Sequence, residues 1–265
     1  MNNKKYTKVI TLHYIRLTYR SILFILALIW YIRERVYHNE VTLNSLYSGY
    51  KAVIFAIIWA VYMGEMILRF LPNNYESPGT QKVFKKNFAP TGKKDIKIQD
   101  NNATVIVALV WVIPNGIIGA LYMTGILDQG MMLLLCLAYS ICDIICILFF
   151  CPFQSWFLKN KCCSTCRIYN WDFPFMFTPL FFVPGIYTWS LLWVSLLLLA
   201  RWEITAWKHP ERFSQNTNAY LRCSNCNEKL CIHKKQLSKL MINNNQHSKS
   251  SNNNQRNRQN RVGKM

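Results

Sequence analysis

The sequence predicts an all-α, polytopic helical membrane protein with four to six crossings, and three observations carry that expectation. Apolar residues come in blocks of bilayer length, basic residues gather at the flanks of those blocks, and cysteines concentrate in two short polar segments. The chain of 265 residues is 52% hydrophobic and 16% charged, yet its mean hydropathy is only +0.08. Strongly apolar and strongly polar stretches average out, where a soluble domain would interleave them with a period of about two or about 3.6 residues.

The first apolar block, Ser21 to Ile32, is short for a crossing, since a helix needs roughly 20 apolar residues to span a bilayer. Tyr19, Trp30 and Tyr31 with Arg16, Arg20, Arg33 and Arg35 are expected to anchor its ends by interfacial placement and snorkelling. A basic stretch before an apolar run also resembles a signal peptide. Ile32-Arg33-Glu34-Arg35 follows where a small-residue cleavage site would stand, so an uncleaved helix is expected. The second block runs from about Tyr50 to Leu71 and the third from Ala103 to Leu127, with Pro114-Asn115-Gly116 expected to kink it. Asp128-Gln129-Gly130 then forces an antiparallel neighbour, the fourth block, Met131 to about Leu158.

The fifth block is of a different kind. From Phe173 to Ala200 there are 28 residues without a charge. A straight helix of that length would measure roughly 42 Å against a hydrocarbon core of about 30 Å. Pro174, Pro179, Pro184 and Gly185 break its first half, and its second half is aliphatic. Either an interfacial or re-entrant segment precedes one full span, or a helical hairpin turns at Pro184-Gly185. The residues 201–213 continue the last helix to Pro210.

The charge of +19 comes from 31 Lys and Arg against 12 Asp and Glu. In a membrane protein this is a topology signal and an attraction for anionic lipid headgroups, and a nucleic-acid partner is not expected. Residues 1–20, the 72–102 loop with its six lysines, the 159–167 segment and the tail all carry the basic bias of cytoplasmic segments. The 33–50 loop and the 128–130 turn suit the outside. The tail stays with the other basic segments only if the fifth block crosses twice or not at all, and a cytoplasmic tail is expected. The organisation is therefore a helical transmembrane domain over 1–200, a juxtamembrane Cys/His segment over 201–241, and a disordered, basic, asparagine-rich tail over 242–265.

The ten cysteines supply the chemistry. In the tail, Cys223 and Cys226 stand in a Cys-x2-Cys pair, and Cys231 and His233 follow as alternate residues. Cys-x2-Cys lets two thiolates of one turn face a single ion, and three sulfurs with one imidazole complete a tetrahedral zinc site. Cys163 and Cys166, in the 158–172 loop, form a second such pair with Cys162 beside it. Joined with Cys223 and Cys226 they would staple the tail to the membrane domain around zinc or an iron–sulfur cluster. In an oxidising compartment the same pairs would read as a thiol–disulfide relay. Cys142 and Cys146 share a helix face and are expected to pack as small hydrophobes, and His209 is expected to be solvated. Glu65 and Asp143 are ionisable groups inside apolar blocks and so candidates for function, with Tyr139 and Cys146 on the face of Asp143.

Three functions fit: a membrane protein with a structural or regulatory metal module, a membrane redox protein, or a transporter using Glu65 and Asp143. The sequence holds no ATP-binding loop, metalloprotease helix motif or serine nucleophile elbow.

Overall fold

The computed structural model describes residues 8–38, 49–73, 75–98, 101–160, 162–225, 230–231 and 234. Among these the chain is helical, with one isolated β-bridge between Pro90 and Asn218 and no strand. The long helices are α1 (Lys8–His38), α2 (Gly49–Arg69), α3 (Asn101–Met123), α4 (Gln129–Leu148) and α6 (Ile186–Lys208). All five are long and apolar enough to cross a membrane. Between α4 and α6 lies the short α5 (Asp172–Phe177), which runs on as a 3-10 helix over Thr178–Phe182.

The α1 helix begins well before its apolar block because its inner face is polar. Ile10, His13, Arg16 and Arg20 recur at helical spacing and all are buried, while Ile22, Ile25 and Ile29 on the rest of the helix are more than half exposed. A soluble helix points its charges outward; here Arg16 and Arg20 point inward. Arg16 and Arg20 are therefore not snorkelling flanks, as expected from composition, but interior ion-pair partners. Hydropathy counts a charge as a cost whether or not a counter-charge waits across the bundle.

The third block forms one helix, and α3 continues through Pro114. Asn115 bridges outward at that turn: its Nδ2 donates to the Trp111 carbonyl at 2.9 Å and its Oδ1 accepts from the Tyr139 hydroxyl at 3.3 Å. The α4 helix starts as its sequence suggests, with the Asp128 side chain accepting from the Met131 amide at 2.8 Å as an N-cap. It stops at Leu148, ten residues before the apolar block ends, because Pro152 opens a separate π-turn over Phe153–Phe157.

The proline-broken fifth block doubles back on itself. Asp172 at the start of α5 pairs with Arg69 at the end of α2, at 2.6 Å. Thr178 receives the Trp111 indole N–H at 3.1 Å. Val183 packs with Met132, Trp30 and Phe55 at the far end of the bundle. The chain then turns at Pro184-Gly185, and α6 returns over its full 23 residues. Only the first limb is short: α and 3-10 segments of this size rise roughly 19 Å together. The second limb reaches full length by recruiting residues 201–208 beyond the uncharged block.

The bundle consequently has two distinct ends. At one lie the start of α1, the ends of α2, α4 and α6, and a cap built from residues 70–98, 150–171 and 209–225. The cap is tied across itself: the Ala219 amide donates to the Ala89 carbonyl at 2.8 Å, the Thr91 amide to the Thr217 carbonyl at 3.1 Å, and Arg212 Nη1 to the Val83 carbonyl at 3.0 Å. Ser77 N-caps one helical turn over Pro78–Gln81, whose Gly79 lies against the Tyr169 ring at 3.1 Å and the Ser164 backbone at 3.2 Å from the position of a Cβ. At the other end α1 meets α4 through the Tyr31 hydroxyl and Asp128 at 2.9 Å, and α2 meets α1 through Lys51 and Glu34 at 2.6 Å.

Candidate metal centre

The capped end holds the predicted ligands, and it spreads them. Cys163 begins a 3-10 turn over Cys163–Thr165 and Cys166 closes it, both buried. Cys223 is exposed at the start of another 3-10 turn, Cys223–Asn225, and Cys231 is half-buried. Cys226 and His233 lie outside the described residues, as does the 242–265 tail. Among the described residues no three His, Cys, Asp or Glu side chains stand close enough to share one ion.

The Cys163–Cys166 turn is held from three sides. Asn160 Nδ2 donates to the Cys162 carbonyl at 2.9 Å. The fully buried Lys82 donates through Nζ to the carbonyls of Ser164 at 3.1 Å and Cys166 at 3.0 Å, and sits over the rings of Trp202 and Phe213 at 4.9 Å each. Burial pushes the Lys82 ammonium down to about 7. The C-terminal segment closes the third side. Leu230 packs into the cluster of Ile10, Ile144, Ile147 and Leu148, and Lys234 Nζ reaches the Cys146 carbonyl at 2.8 Å and Cys163 Sγ at 3.1 Å.

Below this turn lies a cavity of about 250 Å³. Five cysteines line it: Cys142, Cys146, Cys151, Cys163 and Cys166. Its walls include Trp111 and Phe175, stacked at 4.6 Å, with Phe153 beside them. Cys151 accepts from the Gln154 amide at 3.4 Å. The neighbouring Cys146 thiol, that amide and the charge of Lys234 hold the Cys151 thiol below the ordinary range against burial. Burial pushes Cys163 up and Cys166 up to about 12.

Sequence reasoning missed Cys146 and Cys151. A thiol inside an apolar helix reads as packing, and Cys151 stands at the helix's ragged end. The one available signal was the Cys-x4-Cys spacing running into Pro152. Cys142, one turn nearer the bundle middle, is exposed along its side.

Beside the cavity runs a buried ionic network. Arg16 meets Glu65 at 3.1 Å and Glu76 at 2.7 Å; Arg20 meets Glu65 at 2.6 Å and Asp143 at 3.6 Å. Tyr19 donates to Glu65 at 2.6 Å and Arg20 Nη1 to the Ser140 carbonyl at 2.9 Å. Burial works to raise the Glu76 carboxyl, but Arg69 and Arg16 hold it below the usual carboxylate range. Glu65 is thus saturated with donors. Asp143 is not: its Oδ2 is buried without a hydrogen-bond partner among the described residues, and the residue lines the cavity. His209 is partly exposed and faces Glu211 at 3.1 Å. Trp193 and Trp207 are exposed, whereas Trp202 is buried and donates to the Arg167 carbonyl at 2.9 Å.

No known protein family, no curated protein and no solved structure matches this chain.

Proposed function

We propose that the chain is a multi-pass membrane protein that crosses the bilayer six times and carries a thiolate metal centre, zinc or iron–sulfur, at its cytoplasmic end. The centre joins the C-terminal segment to the 158–172 loop, in a structural or regulatory role. The observation that carries this reading is the return of the tail: Lys234 lies against Cys163 and Leu230 inserts between α1 and α4. Cys163 and Cys166 are the centre's thiolates in the loop, and Cys223, Cys226, Cys231 and His233 are the ligand candidates that the C-terminal sequence offers.

Outward-facing Ile, Leu and Val on all five long helices support the membrane setting, because such surfaces are tolerated in lipid and not in water. An even number of passes puts every strongly basic segment at one end, as the positive-inside rule requires, where anionic headgroups are the natural partner. That end is then in a reducing compartment, which favours metal over disulfide.

Protein purified in detergent is expected to contain tightly bound zinc or iron, lost when Cys163 and Cys166 are both replaced by Ser. Metal-free wild-type protein, or metal unchanged in that variant, overturns the reading. A redox role is the second reading, favoured by Cys146 and Cys151 lining one cavity.

A further inference from the structure

We infer that the cavity beneath the Cys163–Cys166 turn is the seat of an iron–sulfur cluster ligated by Cys146, Cys151, Cys163 and Cys166. The inference rests on the metal reading above and changes its ligand set, replacing the tail cysteines by the two thiols at the end of α4.

Geometry separates a cluster from a single ion. Four sulfurs around one zinc sit about 2.3 Å from it and leave no void between them. Here four thiols from two segments line about 250 Å³ of space, and among the described residues no three stand at single-ion spacing. A cluster supplies the missing volume, because its own iron and sulfide atoms fill the centre and its cysteine ligands stand apart at the corners. Two pairs, Cys-x4-Cys and Cys-x2-Cys, provide the four thiolates that such clusters take.

The surroundings fit the same cofactor. Trp111, Phe153 and Phe175 give the cavity an apolar wall, with Asp143 and Asp172 also on its lining. The Gln154 amide points at Cys151 Sγ, and Lys234 Nζ points at Cys163 Sγ at 3.1 Å. Hydrogen bonds and positive charge directed at ligand sulfurs are what tune a cluster's potential and offset its negative charge. Lys234 therefore acts as a positioning residue: the tail would read the cluster's charge by way of a lysine instead of ligating it. Lys82 donates to the Ser164 and Cys166 carbonyls and so fixes the backbone of the second pair.

The test is iron and acid-labile sulfide, measured with the visible spectrum on the full chain purified without oxygen. The expected result is iron and sulfide in equal amounts with a brown chromophore. Both are expected to be lost in Cys146→Ser and in Cys151→Ser, and retained in Cys142→Ser and Cys223→Ser. Lys234→Met is expected to keep the iron and shift the reduction midpoint to lower potential. Zinc without sulfide, lost in Cys223→Ser and retained in Cys146→Ser/Cys151→Ser, overturns the cluster and leaves the metal reading standing. Neither metal in the wild type overturns both. Should the serine variants fail to accumulate, the wild-type ratio decides: iron without labile sulfide overturns the inference.

Discussion

The two ends of the bundle are built on opposite principles. The capped end gathers Arg16, Arg20 and Arg69 with Glu65, Glu76, Asp143 and Asp172 in its interior, and a thiol-lined cavity beside them. The opposite end is joined by apolar and aromatic packing of Val183, Met132, Trp30, Phe55 and Phe182, and its described basic residues are Arg33, Arg35 and Lys51. Charge placed inside is costly unless every member is paired, so the capped end is specified by its polar contacts. The other end is specified by shape. One end is held by buried ion pairs; the other closes the chain reversal by packing.

That difference gives the largest expected effect. Arg20→Met leaves Glu65 and Asp143 short of a counter-charge and is expected to destabilise the detergent-purified protein by about 3–5 kcal/mol. Arg35→Ala, whose side chain is 51% exposed where it meets Asp128, is expected to cost under about 1 kcal/mol. Denaturant or thermal unfolding of both variants checks the contrast, and equal losses would erase the distinction between the ends.

The next effect breaks the opposite end by shape. At Gly119 a Cβ would stand 2.1 Å from the Phe182 ring, whereas Gly116 on the same helix has open space. Gly119→Val is expected to lose about 1–3 kcal/mol by overpacking, and Gly116→Val to show no loss of that size. Equal unfolding midpoints for the two would contradict close packing of α3 on the 3-10 limb.

A third effect is a pH slope in the cap. Folded Lys82 sheds its proton near pH 7, while the unfolded chain keeps it up to the ordinary lysine value of 10.5. Between those values the unfolded state binds more protons, so rising pH favours the fold. Wild-type stability is therefore expected to climb across that window more steeply than that of Lys82→Met. Parallel pH curves would show that the buried ammonium keeps its charge.

The long helices were legible because hydropathy over about 20 residues is a strong signal. The first turns of α1 were not, since His13, Arg16 and Arg20 look like a solvated flank until Glu65 and Glu76 stand opposite. The fifth block stayed open between hairpin and re-entrant segment because Pro174, Pro179 and Pro184 suit both. Contacts at a distance, Asp172 with Arg69 at one end and Val183 with Met132 at the other, show that the chain doubles back there, and that doubling back is compatible with both readings. In the candidate site, Cys163 and Cys166 were legible from spacing alone. Cys146 and Cys151 were not, because nothing local separates a cavity-lining thiol from a packed one.

The most direct test of the account is to label exposed positions at the two ends on intact cells with an impermeant maleimide, and map the modified peptides. Cys223 and a Thr124→Cys variant are both exposed and lie at opposite ends. The account predicts labelling at residue 124 in intact cells, and at Cys223 only after permeabilisation. Labelling of Cys223 on intact cells would contradict a cytoplasmic thiol end.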